Sequence, residues 1–327
     1  MDKNEIADSS KNKIEKTAQK ESKKLDNKEV FQYAKKIEAI LEKMVAEDIK
    51  DVNIKASLLK IIEKNPKILT VKLDDHRRNL GMIAADLKAE WFVLKALDYQ
   101  EASLQQDYMG ENIGMCAAYA RLELATLKAL DNAEASVQKN ICGQNIGMFA
   151  AKSGLEGATI KALENTEASI QQDYMGRNIG MHAAGEGLEQ ATLKALDNAE
   201  ASVQQDELGD NIGMIAADMG LEQATIKALD NFEASIQQCV SGRNIGMCAA
   251  ESALEEATLK AIKNPVARSQ KTYLQDTIKT IARGAGLARV VEAYDELAQN
   301  KNPKKKKYIR KEPRDLTIDE IGRELGL

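Results

Sequence analysis

Catalysis needs titratable side chains that converge on one point, and this chain offers few that can. Its two histidines, His76 and His182, stand in separate stretches of the sequence. The four cysteines, Cys116, Cys142, Cys239 and Cys248, show no C-x-x-C spacing, so they signal neither a zinc site nor a disulfide framework. They read as free, mostly buried thiols. A cysteine nucleophile requires a base beside it, and none is evident. Glu101, Glu134, Glu167, Glu200 and Glu233 recur at one fixed interval, which describes a ladder of equivalent solvated charges and not an acid/base pair. Gly114 and its equivalents occur six times, whereas a phosphate-cradling loop occurs once, after a strand. Close helix packing explains these glycines better. The expectation is a chain with no catalytic centre, no metal, no cofactor and no small-molecule substrate.

The fixed interval is the dominant feature. Asn79-Leu80-Gly81-Met82 returns as Asn112-Ile113-Gly114-Met115 and again from Asn145, Asn178, Asn211 and Asn244, always 33 residues on. A period of this size means a stack of supersecondary units. After each motif come one free position and an Ala pair, such as Ala117-Ala118. The Asn reads as a helix N-cap and the Ala pair as a surface that lets another helix approach. A second helix follows, with Leu155, Ala158, Ala162 and Leu163 along one side. The stretch from Glu167 to Arg177 is polar with a late Gly, and reads as an extended loop ending in a tight turn. His182 fills the free position, where the other units carry Ile83, Cys116, Phe149, Ile215 and Cys248, so it reads as a tolerated, partly buried residue. An apolar content of 43% with only 4% aromatics suits thin layers of small side chains stacked many times.

Asp173-Tyr174-Met175-Gly176-Arg177-Asn178-Ile179-Gly180-Met181-His182-Ala183-Ala184 resembles the D-x-x-G-x-T-P-L-H-x-A-A motif of ankyrin repeats, as do Asp107 to Ala118 and Asp206 to Ala217. The resemblance spans roughly residues 65 to 295. It departs in two respects: N-I-G-M stands where the family has T-P-L-H, so the family's Thr–His hydrogen-bond network cannot form in its usual way, and the second helix is offset by about one residue from the family pattern. The implied fold class is all-α, an ankyrin-like helix-turn-helix solenoid of about six full repeats with degenerate capping repeats. Residues 1–26 read as a disordered Lys/Glu-rich segment, 27–64 as an N-terminal helical cap, 65–295 as the repeat array with its C-terminal cap, 296–315 as a basic linker and 316–327 as a short amphipathic helix.

Positions that vary between otherwise identical repeats are not dictated by the stack. They fall around the turn Gly, at Tyr108, Met109, Glu111, Tyr174, Met175, Arg177, Asp210 and Arg243, and after the Ala pair, at Tyr119, Lys152, Glu186, Asp218 and Glu251. In the family that the chain resembles, these are fingertip and concave-face positions, which implies a protein partner. Aromatic, Met and Arg side chains suit interface anchors. The net charge of −5 also hides a basic run: residues 301–314 sum to +7, and Lys304, Lys305, Lys306, Lys307, Arg310 and Lys311 resemble a nuclear import signal.

The leading expectation is a monomeric protein-binding scaffold without a Sec-type signal or a membrane helix, residing in a reducing cytoplasm or delivered as a bacterial effector into a host cell, where the nucleus is one destination. Two other readings stay open. One is an intracellular scaffold that is never exported; the other binds an import receptor, nucleic acid or an anionic membrane through the basic tail.

Overall fold

Each unit begins at an asparagine that takes no part in the solvent-exposed surface. In the structure, a computed structural model that describes residues 26–300, Asn79, Asn112, Asn145, Asn178, Asn211 and Asn244 are all fully buried. Each holds an extended backbone and accepts through its side chain from the N–H of the Met three residues on, which starts a seven-residue helix such as Ile179–Gly185. A left-handed residue, Gly187 in this unit, then reverses the chain into a second helix, Glu189–Ala195.

The expected extended loop is in part helical. Thr166–Ile170, Ala199–Val203 and their equivalents form a short third helix in each unit. In all but the first unit, where Tyr99 stands without a side-chain cap, its cause is a second capping asparagine: Asn198 accepts from the N–H groups of Glu200 and Ala201. Beyond this helix the chain is extended and then turns at Glu207 to Gly209 before the next capping Asn. Twenty-two α-helices and one 3-10 helix, and no strand, make up the described residues, so the chain is an all-α repeat solenoid.

Stacking is tight because small residues meet at its centre. The first helix of each unit packs against its own second helix and against the first helices on either side. A Cβ on Gly147 would fall 2.5 Å from Ile179 Cδ1 and 2.7 Å from Ala162 Cβ, so a side chain there cannot coexist with this spacing. Around these glycines the buried layer is Ala, Ile and Met, repeated from unit to unit.

The ends differ from the middle. Helices Asn27–Ala46 and Val52–Lys64 close the N-terminal side, burying Ile37, Leu41, Leu58 and Ile62. At the other side Thr277 stands where the repeats have Asn; it caps Ile278–Gly284, which packs on a longer helix, Ala288–Asn300. Larger side chains gather at the N-terminal end, including Phe92 and the Trp91 ring beside it. No helix among the described residues is long and apolar enough to cross a membrane.

Candidate functional site

Four hydrogen-bond ladders run through the stack, and they decide which side chains the fold uses up. In the first, Asn178 donates through Nδ2 to Ala201 O at 2.9 Å and to Gln204 Oε1 at 2.8 Å, while Gln204 passes its own amide on to Ile170 O of the preceding unit at 2.8 Å. The same Asn–Gln relay occurs in all six units.

The second ladder joins Asn198 Nδ2 to Ser169 Oγ of the preceding unit at 2.9 Å. In the third, Lys161 Nζ donates to Leu127 O at 2.8 Å and pairs with Asp131, with Lys128, Lys227 and Lys260 doing likewise. In the fourth, Glu156 accepts from the N–H of Gln190 at 2.9 Å and so caps the next unit's second helix, which has no cap of its own. By contrast Glu101, Glu134, Glu167, Glu200 and Glu233 lie exposed in the first turn of the short third helices.

The turns are built differently. Asp173 accepts from the N–H groups of Met175 and Arg177 at 3.0 and 2.9 Å, and Gly176 takes φ +75°, a left-handed value that suits glycine. Successive turns then touch through their backbones. Tyr108 N donates to His76 O, Ile141 N to Met109 O, Tyr174 N to Cys142 O, Glu207 N to Met175 O, Val240 N to Leu208 O and Tyr273 N to Ser241 O, at 2.8 to 3.2 Å. These bonds need only the main chain, so the side chains at the tips are free to point away.

They are largely apolar. Tyr108 is 69% exposed, Tyr174 72%, Tyr273 78% and Leu274 85%; Met109, Ile141, Met175, Leu208 and Val240 complete the line. Nine of the seventeen large apolar side chains exposed among the described residues therefore lie on one ridge of turn tips. Tyr273 and Leu274 escaped the sequence reading because their unit lacks the N-I-G-M motif. The signal that could have found them was the register: Tyr273 stands 33 residues after Val240.

Beside the ridge lies the row of residues that precede each capping position. Arg78 pairs with Asp74 and Asp86, Arg177 Nε meets Asp206 Oδ2 at 3.2 Å, and Arg243 is held by Asp218 at 3.3 Å and Glu251 at 2.7 Å. Three residues expected to meet a partner, Arg243, Asp218 and Glu251, thus meet one another. Glu111 and Asp210 occupy the same row with the opposite sign. Burial, with Asp107 adding, pushes the Glu111 carboxyl above the usual range, although Asn140 and Lys152 work the other way. Burial, with Asp206 and Asp218 adding and Arg243 and Cys239 opposing, does the same to Asp210, whose Oδ1 is enclosed without a hydrogen-bond donor. Tyr119, Lys152 and Glu186 are exposed beyond this row, at or just past the ends of first helices.

His182 is not merely tolerated. Its Nε2 lies 2.9 Å from Asp173 Oδ2, linking the first helix to the turn. Burial lowers the His182 pKa and outweighs the carboxylate beside it. Burial also works against the Asp173 charge, but the Arg177 N–H and His182 more than offset it and hold that carboxyl below the usual range. Three cysteines are buried, as expected, and Cys142 is exposed. Burial pushes the thiols of Cys116 and Cys248 well up.

Among the described residues no group of three or more His, Cys, Asp or Glu is placed to hold a metal ion. The N-terminal segment, the basic residues Lys304, Lys305, Lys306, Lys307, Arg310 and Lys311, and the amphipathic stretch 316–327 lie outside the described residues, apart from Asp26. In comparison with known proteins, no family model matches this chain and no curated protein matches it.

Proposed function

We propose that the chain is a protein-binding scaffold whose contact surface is the ridge of turn tips. The observation that carries this reading is the run of apolar side chains from Tyr108 to Leu274, placed where the array's own hydrogen bonds require only backbone. Holding such side chains in water has no structural return, and a continuous exposed apolar line marks an interaction surface. The scaffold suits the task because the turns are fixed from both sides, so little order has to be gained on binding. The 33-residue period and the D-x-x-G turn support an ankyrin-type reading; the third helix and the Asn–Gln relay are this chain's own variations on it. Export into a host cell belongs to the same proposal and draws on the sequence of the two ends.

The test uses the full chain and a variant with Tyr108→Ser, Tyr174→Ser and Tyr273→Ser. Partners captured from a cell lysate are quantified for both, with far-UV circular dichroism confirming that the variant is folded. Proteins retained by the native chain and lost by the variant support the ridge. Equal capture of every partner by the folded variant sinks it.

A further inference from the structure

The row beside the ridge is electrostatically uneven in a way that specifies a partner's chemistry. All three of its arginines are satisfied inside the array, Arg78 by Asp74 and Asp86, Arg177 by Asp206, and Arg243 by Asp218 and Glu251. Of its three carboxylates Asp276 accepts from Thr280 Oγ1, whereas Asp210 and Glu111 are less well matched. At Asp210 the charges of Asp206 and Asp218 oppose that of Arg243, and Oδ1 stays enclosed with no donor on it; at Glu111 the charges of Asp107 and Asp86 are set against Asn140 and Lys152, and burial leaves both carboxyls raised above the usual range. A cation arriving from outside would relieve both; an anion would aggravate both. The body carries the same bias, since residues 26–300 hold 41 acidic against 30 basic side chains, net −11.

Position adds to charge. Glu111 follows the turn Gly110 and Asp210 follows Gly209, so each carboxylate lies next to apolar tips, Tyr108 and Met109 in one unit and Leu208 in the other. The tips advance by one packed helix per unit, about 10 Å. An α-helix with an apolar residue every seven positions advances about 10.5 Å between them and keeps step with the tips. An extended strand returns to the same face about every 6.7 Å and falls out of step at once.

Resting on the ridge reading above, we infer that the surface takes a basic amphipathic helix of a partner protein, its apolar face on the turn tips and its Lys or Arg side chains at Asp210 and Glu111. Turning the Asp210 carboxylate outward to an incoming cation gives its enclosed oxygen the donor that it lacks.

The experiment measures fluorescence anisotropy of labelled peptides against the full chain. The probes are a Leu/Lys helix of about twenty-five residues with heptad-spaced leucines, long enough at about 37 Å to span the three units from Glu111 to Asp210, a scrambled peptide of identical composition, a Leu/Glu counterpart, and the chain's own 301–327 segment as a competitor. The expected result is binding of the Leu/Lys helix at least tenfold tighter than either the scrambled or the Leu/Glu peptide, weakened about tenfold by Asp210→Asn with Glu111→Gln. A control variant, Glu134→Gln with Glu167→Gln, removes the same net charge from exposed positions away from the ridge and leaves binding unchanged. Equal weakening by both variants means that net charge alone is sensed and overturns the inference, as does a scrambled peptide that binds as well. If a captured partner depends on Tyr108, Tyr174 and Tyr273 but ignores Asp210 and Glu111, the inference fails while the ridge survives. Displacement of the Leu/Lys helix by excess 301–327 peptide, sensitive to the same two carboxylates, supports the chemistry and assigns the site to the chain's own basic segment in place of a partner's helix, overturning that part.

Discussion

Replacing Asn178 with Ala isolates one link of the Asn–Gln relay. The native side chain is fully buried and makes three hydrogen bonds: Oδ1 accepts from Met181 N at 2.9 Å, and Nδ2 donates to Ala201 O and Gln204 Oε1. Loss of the cap costs about 1 kcal/mol. Stranding the buried Ala201 carbonyl adds about 1–3 kcal/mol, whereas the half-buried Gln204 amide can turn to water. The sum is about 3 kcal/mol, or some two orders of magnitude in the local opening equilibrium. Because a repeat array unfolds in segments, a single global free energy is the wrong observable. Hydrogen exchange of the amides in 179–204 reads the opening directly, with guanidinium denaturation as a check. Asn178→Asp sharpens the test. It keeps the accepting oxygen but sets a second oxygen against Ala201 O and Gln204 Oε1, so at neutral pH it is at least as damaging as Ala and becomes milder as acid protonates it. An Ala variant costing under about 1 kcal/mol, or an Asp variant as protected as the native chain, would refute the relay as a source of inter-repeat stability.

Gly147→Ala gains about 1 kcal/mol of helix propensity but forces its Cβ onto Ala162, whose own Cβ cannot yield, and overpacking costs about 1–3 kcal/mol; a lowered melting temperature is expected. Gly154→Ala differs in cause: its Cβ meets open space, but Ala must hold the left-handed backbone at φ +74°, as Lys88, Arg121 and Ala253 do in the equivalent positions, at a cost of about 1–2 kcal/mol, so melting should fall without any overpacking. The His182 pKa is lowered in the fold, so the unfolded chain binds the proton first and stability falls as pH drops below about 6.5; Asp173, also lowered, extends the loss as pH falls through its range near and below 3.8. His182→Ile, the residue of two other units, should flatten urea midpoints between pH 7 and 5, and an unaltered slope would count against this origin. Cys142 should react with a maleimide in the native chain while Cys116 and Cys248 wait for denaturant, as intact-mass measurement would record.

The solenoid was legible because its period is repeated six times and each copy carries a capping Asn, a packing Gly and an Ala pair whose physical roles are local. What stayed hidden was whatever depends on a neighbour. Gln204 repeats as faithfully as Asn178, yet nothing local says that its amide reaches a carbonyl in the preceding unit. The third helix was hidden by its length, since five residues show no apolar period, and only the capping Asn198 betrays it. At the surface, variation between repeats singled out Tyr108, Met109, Tyr174 and Met175, which lie on the ridge. The same criterion picked Arg243, Asp218 and Glu251, which vary together because they bond to one another. Covariation among neighbours and freedom from the fold look alike in a single sequence.

The four ladders have a bearing on how such a chain can change length. Gln204 reaches back 34 residues, Lys161 34, Gln190 34, Asn198 29 and Tyr174 32, so each of these bonds joins adjacent units at an offset that recurs along the array. Excising or duplicating any 33-residue stretch brings each donor to an acceptor of the same kind, wherever the cut falls. Unequal recombination between the near-identical units could therefore lengthen or shorten the array without breaking its joints. Private contacts such as Arg177 to Asp206 and Arg243 to Asp218, each across two units, carry a memory of order. A cut between Asp218 and Arg243 would leave a sound array with a different surface.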